Sequence, residues 1–292
     1  MTGKLLIFGC GYSAQAFVRR LGGGWQVTGT TRDPAKKAQL KTQGIDALLW
    51  PGQDLLPALE DATHLLLSIA PGADGDPVVA ALGDAVRQAA PHLRWVGYLS
   101  TTGVYGDHDG DWVDETTALE PTTRRGKSRL VAERQWQAIA AASDLPLHIF
   151  RLAGIYGPGR GPFEKVRNGT ARRIIKENQY FSRIHVDDIA EVLAASLAHP
   201  DPGAIYNVAD DDPSPPENVL SEAARLLDLP DPPELRFEEA EMTPMARSFY
   251  AESKRVRNDR IKRDLGVTLR YPDYHTGLRA LLEDESANRG AG

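Results

Sequence analysis

Short apolar runs alternate with amphipathic stretches through the first half of the chain. Leu5-Leu6-Ile7-Phe8 is a run of four apolar residues, the signature of a strand buried on both faces. Residues 14–21 then repeat apolar positions at helical spacing. The alternation recurs, with strands expected at 25–32, 46–50, 63–71 and 95–100 and helices at 34–44 and 78–90. Further on, a helix is expected across 122–133, another across 189–198, and a strand at 204–209. Residues 226–233 read as a helix end and a Pro-rich linker, and 284–292 as a frayed, flexible tail. Strands alternating with helices predict an α/β fold with a doubly wound parallel sheet.

The first strand runs into Gly9-Cys10-Gly11-Tyr12-Ser13-Ala14. Gly9 permits a sharp turn, and Gly11 has no Cβ to keep a phosphate from the backbone. Ala14 stands where a third glycine is usual and lets helix and strand pack closely. Strand, glycine turn and helix in that order form the opening of a dinucleotide-binding unit, with the pyrophosphate on the helix N-terminus near Tyr12 and Ser13. The second strand ends at Arg32, about 20 residues after the glycines, where the adenine ribose is read. An acidic residue there suits the 2′-hydroxyl of NAD; Arg32 suits the 2′-phosphate of NADP, so NADP is expected, with NAD as the other possibility. Asp54, beside Leu55, either meets the adenine amino group or caps the helix that follows. Ile69 and Ala70, at the end of the fourth strand, should run under the cofactor.

Composition narrows the class. The 292 residues suffice for a large core and a second lobe, and a net charge of −6 argues against nucleic acid as partner. The single cysteine, Cys10, excludes an intrachain disulfide and reads as a small filler in the turn. The seven histidines show no ligand-like spacing, so no metal is expected. The chain opens directly on a strand and holds no apolar run of the ~20 residues a membrane helix needs, so a soluble cytoplasmic protein, monomer or homodimer, is expected.

Downstream residues carry a resemblance. Ser100-Thr101-Thr102-Gly103-Val104-Tyr105-Gly106 ends the fifth strand, Arg151-Leu152-Ala153-Gly154-Ile155-Tyr156-Gly157-Pro158 follows the sixth, and Ile184-His185-Val186-Asp187-Asp188 opens a later helix. Together with Leu265-Gly266-Val267 and Tyr271-Pro272, these motifs resemble, in order and over almost the whole chain, the extended short-chain dehydrogenases/reductases, the superfamily of NAD-dependent epimerases and dehydratases. The resemblance implies a Rossmann-type domain over 1–156, its core completed by about 183–210, and a smaller substrate-binding lobe from 157–182 and 211–283. It also implies that Ser100, Thr101 and Gly154 lie at the cofactor or the substrate. Asp187 or Asp188 should cap the 189–198 helix, and His185 either supports that turn or faces the substrate together with Arg183, Tyr105 and Tyr156.

The family's chemistry uses a Tyr and, four residues later, a Lys on one helix. Here that helix reads Arg124-Arg125-Gly126-Lys127-Ser128-Arg129, and a register anchored on Glu133 puts Arg125 in the Tyr slot and Arg129 in the Lys slot. A shifted register gives Thr123 and Lys127 and breaks the spacing to Glu133. Neither supplies a phenol, and a guanidinium with a pKa above ~12 does not donate a proton at neutral pH. Arg129 can still hold a ribose, and on a solvated helix face it would instead pair with Glu133. The resemblance is therefore to an atypical, degenerate branch of the superfamily. Two readings follow: an oxidoreductase or epimerase-type enzyme on a small anionic or sugar-like substrate, with Tyr105, Tyr156 or Tyr180 as non-standard proton donor, or a protein that holds NADP(H) without turnover. A methyltransferase using the same turn is disfavoured by Arg32, since the ribose of S-adenosylmethionine calls for an acidic partner. Arg160, Lys165, Arg167, Arg172, Arg173 and Lys176 make 157–182 locally basic, which suits an anionic ligand or a solvated loop.

Overall fold

A computed structural model describes residues 2–290. Seven strands form one parallel sheet: β1 Gly3–Phe8, β2 Trp25–Thr31, β3 Asp46–Leu49, β4 His64–Leu67, β5 Trp95–Thr101, β6 Leu147–Leu152 and β7 Ile205–Val208. Their order is β7-β6-β5-β4-β1-β2-β3, so the winding reverses between β1 and β4, the point at which such sheets open a crevice. Phe8 lies beside Leu67, which brings the ends of those two strands level.

Alternation in β1 explains the double-sided core. Leu5 and Ile7 enter one apolar cluster with α1 (Tyr12–Leu21) and the late helix that caps the same face, through Phe17, Ile189 and Leu193. Leu6 and Phe8 enter the other, which holds Val86 of α4 (Pro77–Ala89) and Trp136 and Ile139 of α5 (Arg124–Ser143). Between α1 and α4 come α2 (Pro34–Thr42) and α3 (Leu56–Asp61). A third cluster joins Tyr156, Phe163 and Val166 to Ala223, Ala224, Tyr274, Leu278 and Leu281, and so packs three segments distant in sequence. Two-stranded parallel pairs stitch it to the body: Gly154–Tyr156 with Arg183–His185, and Trp112–Val113 with Arg255–Val256.

Several expectations need correction. The fourth strand ends at Leu67, short of residue 71, because Pro71 has no N–H to continue the ladder and the chain leaves the sheet after Ser68 donates to Phe8. The helix expected at 122 begins at Arg124, where Thr123 accepts the Gly126 N–H at 3.2 Å. Neither Asp187 nor Asp188 caps the late helix α6 (Val186–Ala198); His185 does, its Nδ1 accepting the Asp187 N–H. Asp188 instead accepts from the Arg270 and Tyr271 N–H groups at 2.7 and 3.0 Å. The expected flexible tail is helical through Gly290, anchored by Arg167 on Glu285 at 2.6 Å; residues 291–292 lie outside the described residues. Among the described residues no helix is long and apolar enough to cross a membrane, and no group of three or more His, Cys, Asp or Glu could hold a metal ion.

Candidate functional site

The glycine turn is fastened before it is used. The Gly9 N–H donates to Thr30 Oγ1 at 2.8 Å and the Cys10 N–H to the Thr30 carbonyl at 2.9 Å, which pins the turn to β2. Gly9 has a φ of +85°, and a Cβ there would lie 2.8 Å from Ile69 Cγ1, so the position needs glycine twice over. A Cβ on Gly11 would meet nothing nearer than the Gly9 carbonyl at 3.7 Å, so its outer side is open. Ala14 is fully buried against the strand, and Ser13 is buried beside it. Helices α2, α4 and α5 are capped by Asp33, Asp76 and Thr123, but no side chain caps α1. Its first N–H groups and its positive end therefore face an open glycine surface, a fit for the pyrophosphate of a dinucleotide.

The neighbouring residues divide. Arg32 follows β2, is exposed, and has no hydrogen bond or ion pair among the described residues. Asp54 is exposed and accepts the Leu56 N–H at 3.0 Å just ahead of α3, whose N-cap position, Leu55, carries no side-chain cap. Leu55 is buried in the core beneath, whereas beyond the end of β4 Ile69 is half-buried and Ala70 exposed.

Helix α5 brings two guanidinium groups to the sheet edge on one face, a turn apart. Arg129 Nη1 donates to the Leu99 carbonyl at 2.9 Å, the Tyr98 hydroxyl at 3.1 Å and the Ile69 carbonyl at 3.3 Å, which ties the exits of β4 and β5 together. It does not pair with Glu133. Arg125 is exposed and packs its guanidinium over the Phe249 ring at 5.7 Å; Lys127 is exposed. Gly126 seats the helix, since a Cβ there would come within 2.5 Å of the Gly103 carbonyl. Thr101 Oγ1 accepts the Gly103 N–H at 3.2 Å and so keeps its own proton to donate.

Ser100 turns inward and gives its hydroxyl to Glu133, which makes its side chain part of a buried network. Glu133 and Arg151, 1% and 2% exposed, pair at 2.9 Å. Arg151 Nη1 donates to the Tyr105 hydroxyl at 3.0 Å, and Tyr105 donates to Asn207 Oδ1 at 2.6 Å. Burial pushes the Tyr105 phenol up to about 12, so this tyrosine is a tethered core residue and not a free acid. One signal pointed to the network: Arg151 stands in a strand that is apolar but for it and His148, and a charge there requires a buried partner.

The remaining candidates lie on the other side of the crevice. Tyr156 is buried, its hydroxyl reaching the Asp273 carbonyl at 3.4 Å, and burial beside Asp210 raises its pKa above the usual phenol range. Tyr180 lies under the Arg255 guanidinium at 3.9 Å. Arg183 Nη1 donates to Phe181 O at 3.0 Å and Ser214 Oγ at 2.9 Å, and desolvation lowers its pKa. His185 is 1% exposed between the Tyr156 and Tyr271 rings, and burial holds its pKa down to about 4. Gly154 is exposed, its N–H on the Ser182 carbonyl. The fold thus gathers Gly9, Gly11, Ile69, Thr101, Arg125 and Arg129 along one edge. Tyr156, Arg183 and His185 belong to the paired segments opposite, and Tyr105 lies below.

The model of the NAD dependent epimerase/dehydratase family matches residues 78–209. Protein YeeZ of Escherichia coli strain K12 is 30% identical over 286 residues, 92% of this chain and 97% of that protein. A conserved protein of unknown function from Silicibacter pomeroyi has a solved structure that is 58% identical, covering 97% of this chain and 99% of that one, with a TM-score of 0.90. The UDP-glucuronic acid 4-epimerase of Bacillus cereus, solved with UDP-glucuronic acid and NAD, shares the fold at 16% identity and a TM-score of 0.77, over 96% and 98% of the two chains.

Proposed function

Because the chain belongs to the NAD-dependent epimerase/dehydratase family, as an atypical extended short-chain dehydrogenase/reductase, we propose that it is a nicotinamide-dinucleotide-dependent oxidoreductase or epimerase-type enzyme acting on a small anionic or sugar-like substrate. The observation that carries this reading is the uncapped N-terminus of α1 behind the open face of Gly11. The Bacillus cereus epimerase, which holds both a dinucleotide and a sugar nucleotide on the same fold, supports it.

The dinucleotide, when bound, supplies hydride exchange. The chain's own residues do the rest. Gly9, Gly11, Tyr12 and Ser13 receive the pyrophosphate, Ile69 and Ala70 underlie the cofactor, and Arg32 takes a 2′-phosphate. Arg129 braces the strand ends on which the nicotinamide half rests and offers its remaining N–H groups to the ribose. Thr101 donates its hydroxyl proton to a substrate oxygen. Arg125, braced by Phe249, offers a planar cation to a substrate carboxylate or phosphate but no transferable proton. The substrate lies between the body, 1–156 with 183–210, and the lobe formed by 157–182 and 211–283, where Arg183 faces it. A second reading, a protein that holds NADP(H) without turnover, is favoured by the lack of a phenol at position 125 and by the tethering of Tyr105 and Tyr156.

Calorimetric titration with NADP and NAD tests the site. A charge-assisted contact from Arg32 is worth ~1.5–3 kcal/mol, so NADP should bind about tenfold to a hundredfold tighter than NAD. Arg32→Ala should erase that difference and leave NAD binding as it was. Failure of the natural protein to bind either dinucleotide sinks the proposal, and binding without hydride exchange selects the second reading.

A further inference from the structure

We infer that Arg160, carried on a tight turn from the far side of the crevice, is a phosphate ligand of the dinucleotide at the N-terminus of α1; this rests on the dinucleotide reading given above. The turn is closed on itself. Gly157 N–H donates to the Arg160 carbonyl at 3.3 Å and Arg160 N–H to the Gly157 carbonyl at 2.8 Å, with Pro158 and Gly159 between them and Gly159 at a φ of +72°. It seats on the first residue of α1: the Tyr12 hydroxyl donates to the Pro158 carbonyl at 2.9 Å. Contact is so close that a Cβ on Gly157 would lie 2.6 Å from the Tyr12 hydroxyl oxygen.

This seating places a cation where α1 has none of its own. Residues 12–15, the first turn of α1, include no Lys, Arg or His. The helix end offers about half an elementary charge, against the two negative charges of a pyrophosphate. The Arg160 guanidinium lies 4.7 Å from the centroid of the Tyr12 ring, exposed, with no ion pair among the described residues. A guanidinium resting its face on an aromatic ring keeps its N–H edge free, the arrangement for bidentate contact with phosphate.

A second donor converges on the same turn. His185 Nδ1 accepts the Asp187 N–H, so the neutral ring carries its proton on Nε2. That atom is buried, has no hydrogen-bond partner among the described residues, and lies 3.4 Å from the position a Cβ on Gly157 would take. The turn, the tyrosine at the head of α1 and an unspent imidazole N–H therefore meet at one place, and a buried donor without an acceptor is disfavoured unless a ligand completes it. Through this clasp the basic segment after residue 157 responds to cofactor occupancy, not only to substrate.

The test is calorimetry of the full chain with NADP and with NAD, on the natural protein, Arg160→Ala and Arg160→Lys, with melting temperatures taken without ligand. Arg160 is exposed, so both variants should melt as the natural protein does; should Arg160→Ala melt lower, Arg160→Lys carries the comparison. Arg160→Ala should lower the affinity for both dinucleotides by one common factor, about tenfold to a hundredfold, and leave the NADP-to-NAD ratio intact. Arg160→Lys should fall between, since it keeps the charge and loses the fork. Unchanged or tighter binding by Arg160→Ala would show that the turn is a cover and overturn the inference. So would a loss confined to NADP, which would assign Arg160 to the 2′-phosphate. If the natural protein binds neither dinucleotide, the site reading itself falls, an outcome distinct from both.

Discussion

Glu133 and Arg151 show how a single side chain can be read in two ways. On spacing alone Glu133 is the partner of Arg129, one turn away on a helix surface. In the fold it is 1% exposed and belongs to Arg151, with Ser100 and Tyr105 completing the set. Sequence spacing reports which residues share a helix face and not whether that face meets water, so the partner of Glu133 was not legible. Removing one member of a buried pair leaves the other charge uncompensated, at a penalty of about 3–5 kcal/mol. Glu133→Gln should therefore lower the unfolding free energy by about that much in urea titrations, while the double change Glu133→Leu with Arg151→Met should recover much of it. A loss below about 1 kcal/mol for Glu133→Gln would mean that Arg151 finds water or another partner.

At the scale of elements, the glycine turn and the β–α alternation were legible because period and turn chemistry act locally. Thr123, which caps α5, and His185, which caps α6, were not singled out as caps, and the Asp188 clamp was invisible because its partners lie 82 and 83 residues away. Helix α5 gives the sharpest consequence. Arg129 links the exits of β4 and β5, and Lys127 points to solvent. Arg129→Ala should weaken dinucleotide binding about tenfold, through loss of the hydrogen bonds that hold those strand ends. Lys127→Ala should leave affinity unchanged. The reverse pattern in the same titrations would restore the shifted register, with Lys127 at the cofactor.

Across the whole molecule, three histidines are held neutral by burial. His64 and His185 are pushed down to about 4 and His148 is lowered as well. In the unfolded chain each takes up a proton near pH 6.5, so from about pH 6.5 down to about 4 acid favours unfolding. Asp188 works the other way: burial raises it to about 6, so between about pH 4 and 6 the folded form keeps a proton that the unfolded chain has lost. Asp76, Glu115, Asp210 and Glu217 are raised by burial as well and act with Asp188, so the sign is cleanest for one histidine at a time. Between about pH 6.5 and 4, His64→Gln should lose less melting temperature than the natural protein, and parallel profiles would refute the buried neutral form of His64. The lobe opposite the sheet was the least legible part, because its core joins Tyr156, Ala223 and Leu278 from three separate stretches, and no local pattern records such a meeting.

The Asp188 clamp also orders events in time. A chain leaving the ribosome completes its last central strand at Val208, but both donors to the Asp188 carboxylate, Arg270 and Tyr271, emerge more than sixty residues later. During that interval the sheet can close while the head of α6 carries a carboxylate with neither of those donors. Tyr271, whose ring also covers His185, arrives in the same step. The far wall of the crevice is therefore assembled last, and a nascent chain holds a formed glycine turn before Tyr271 has covered His185.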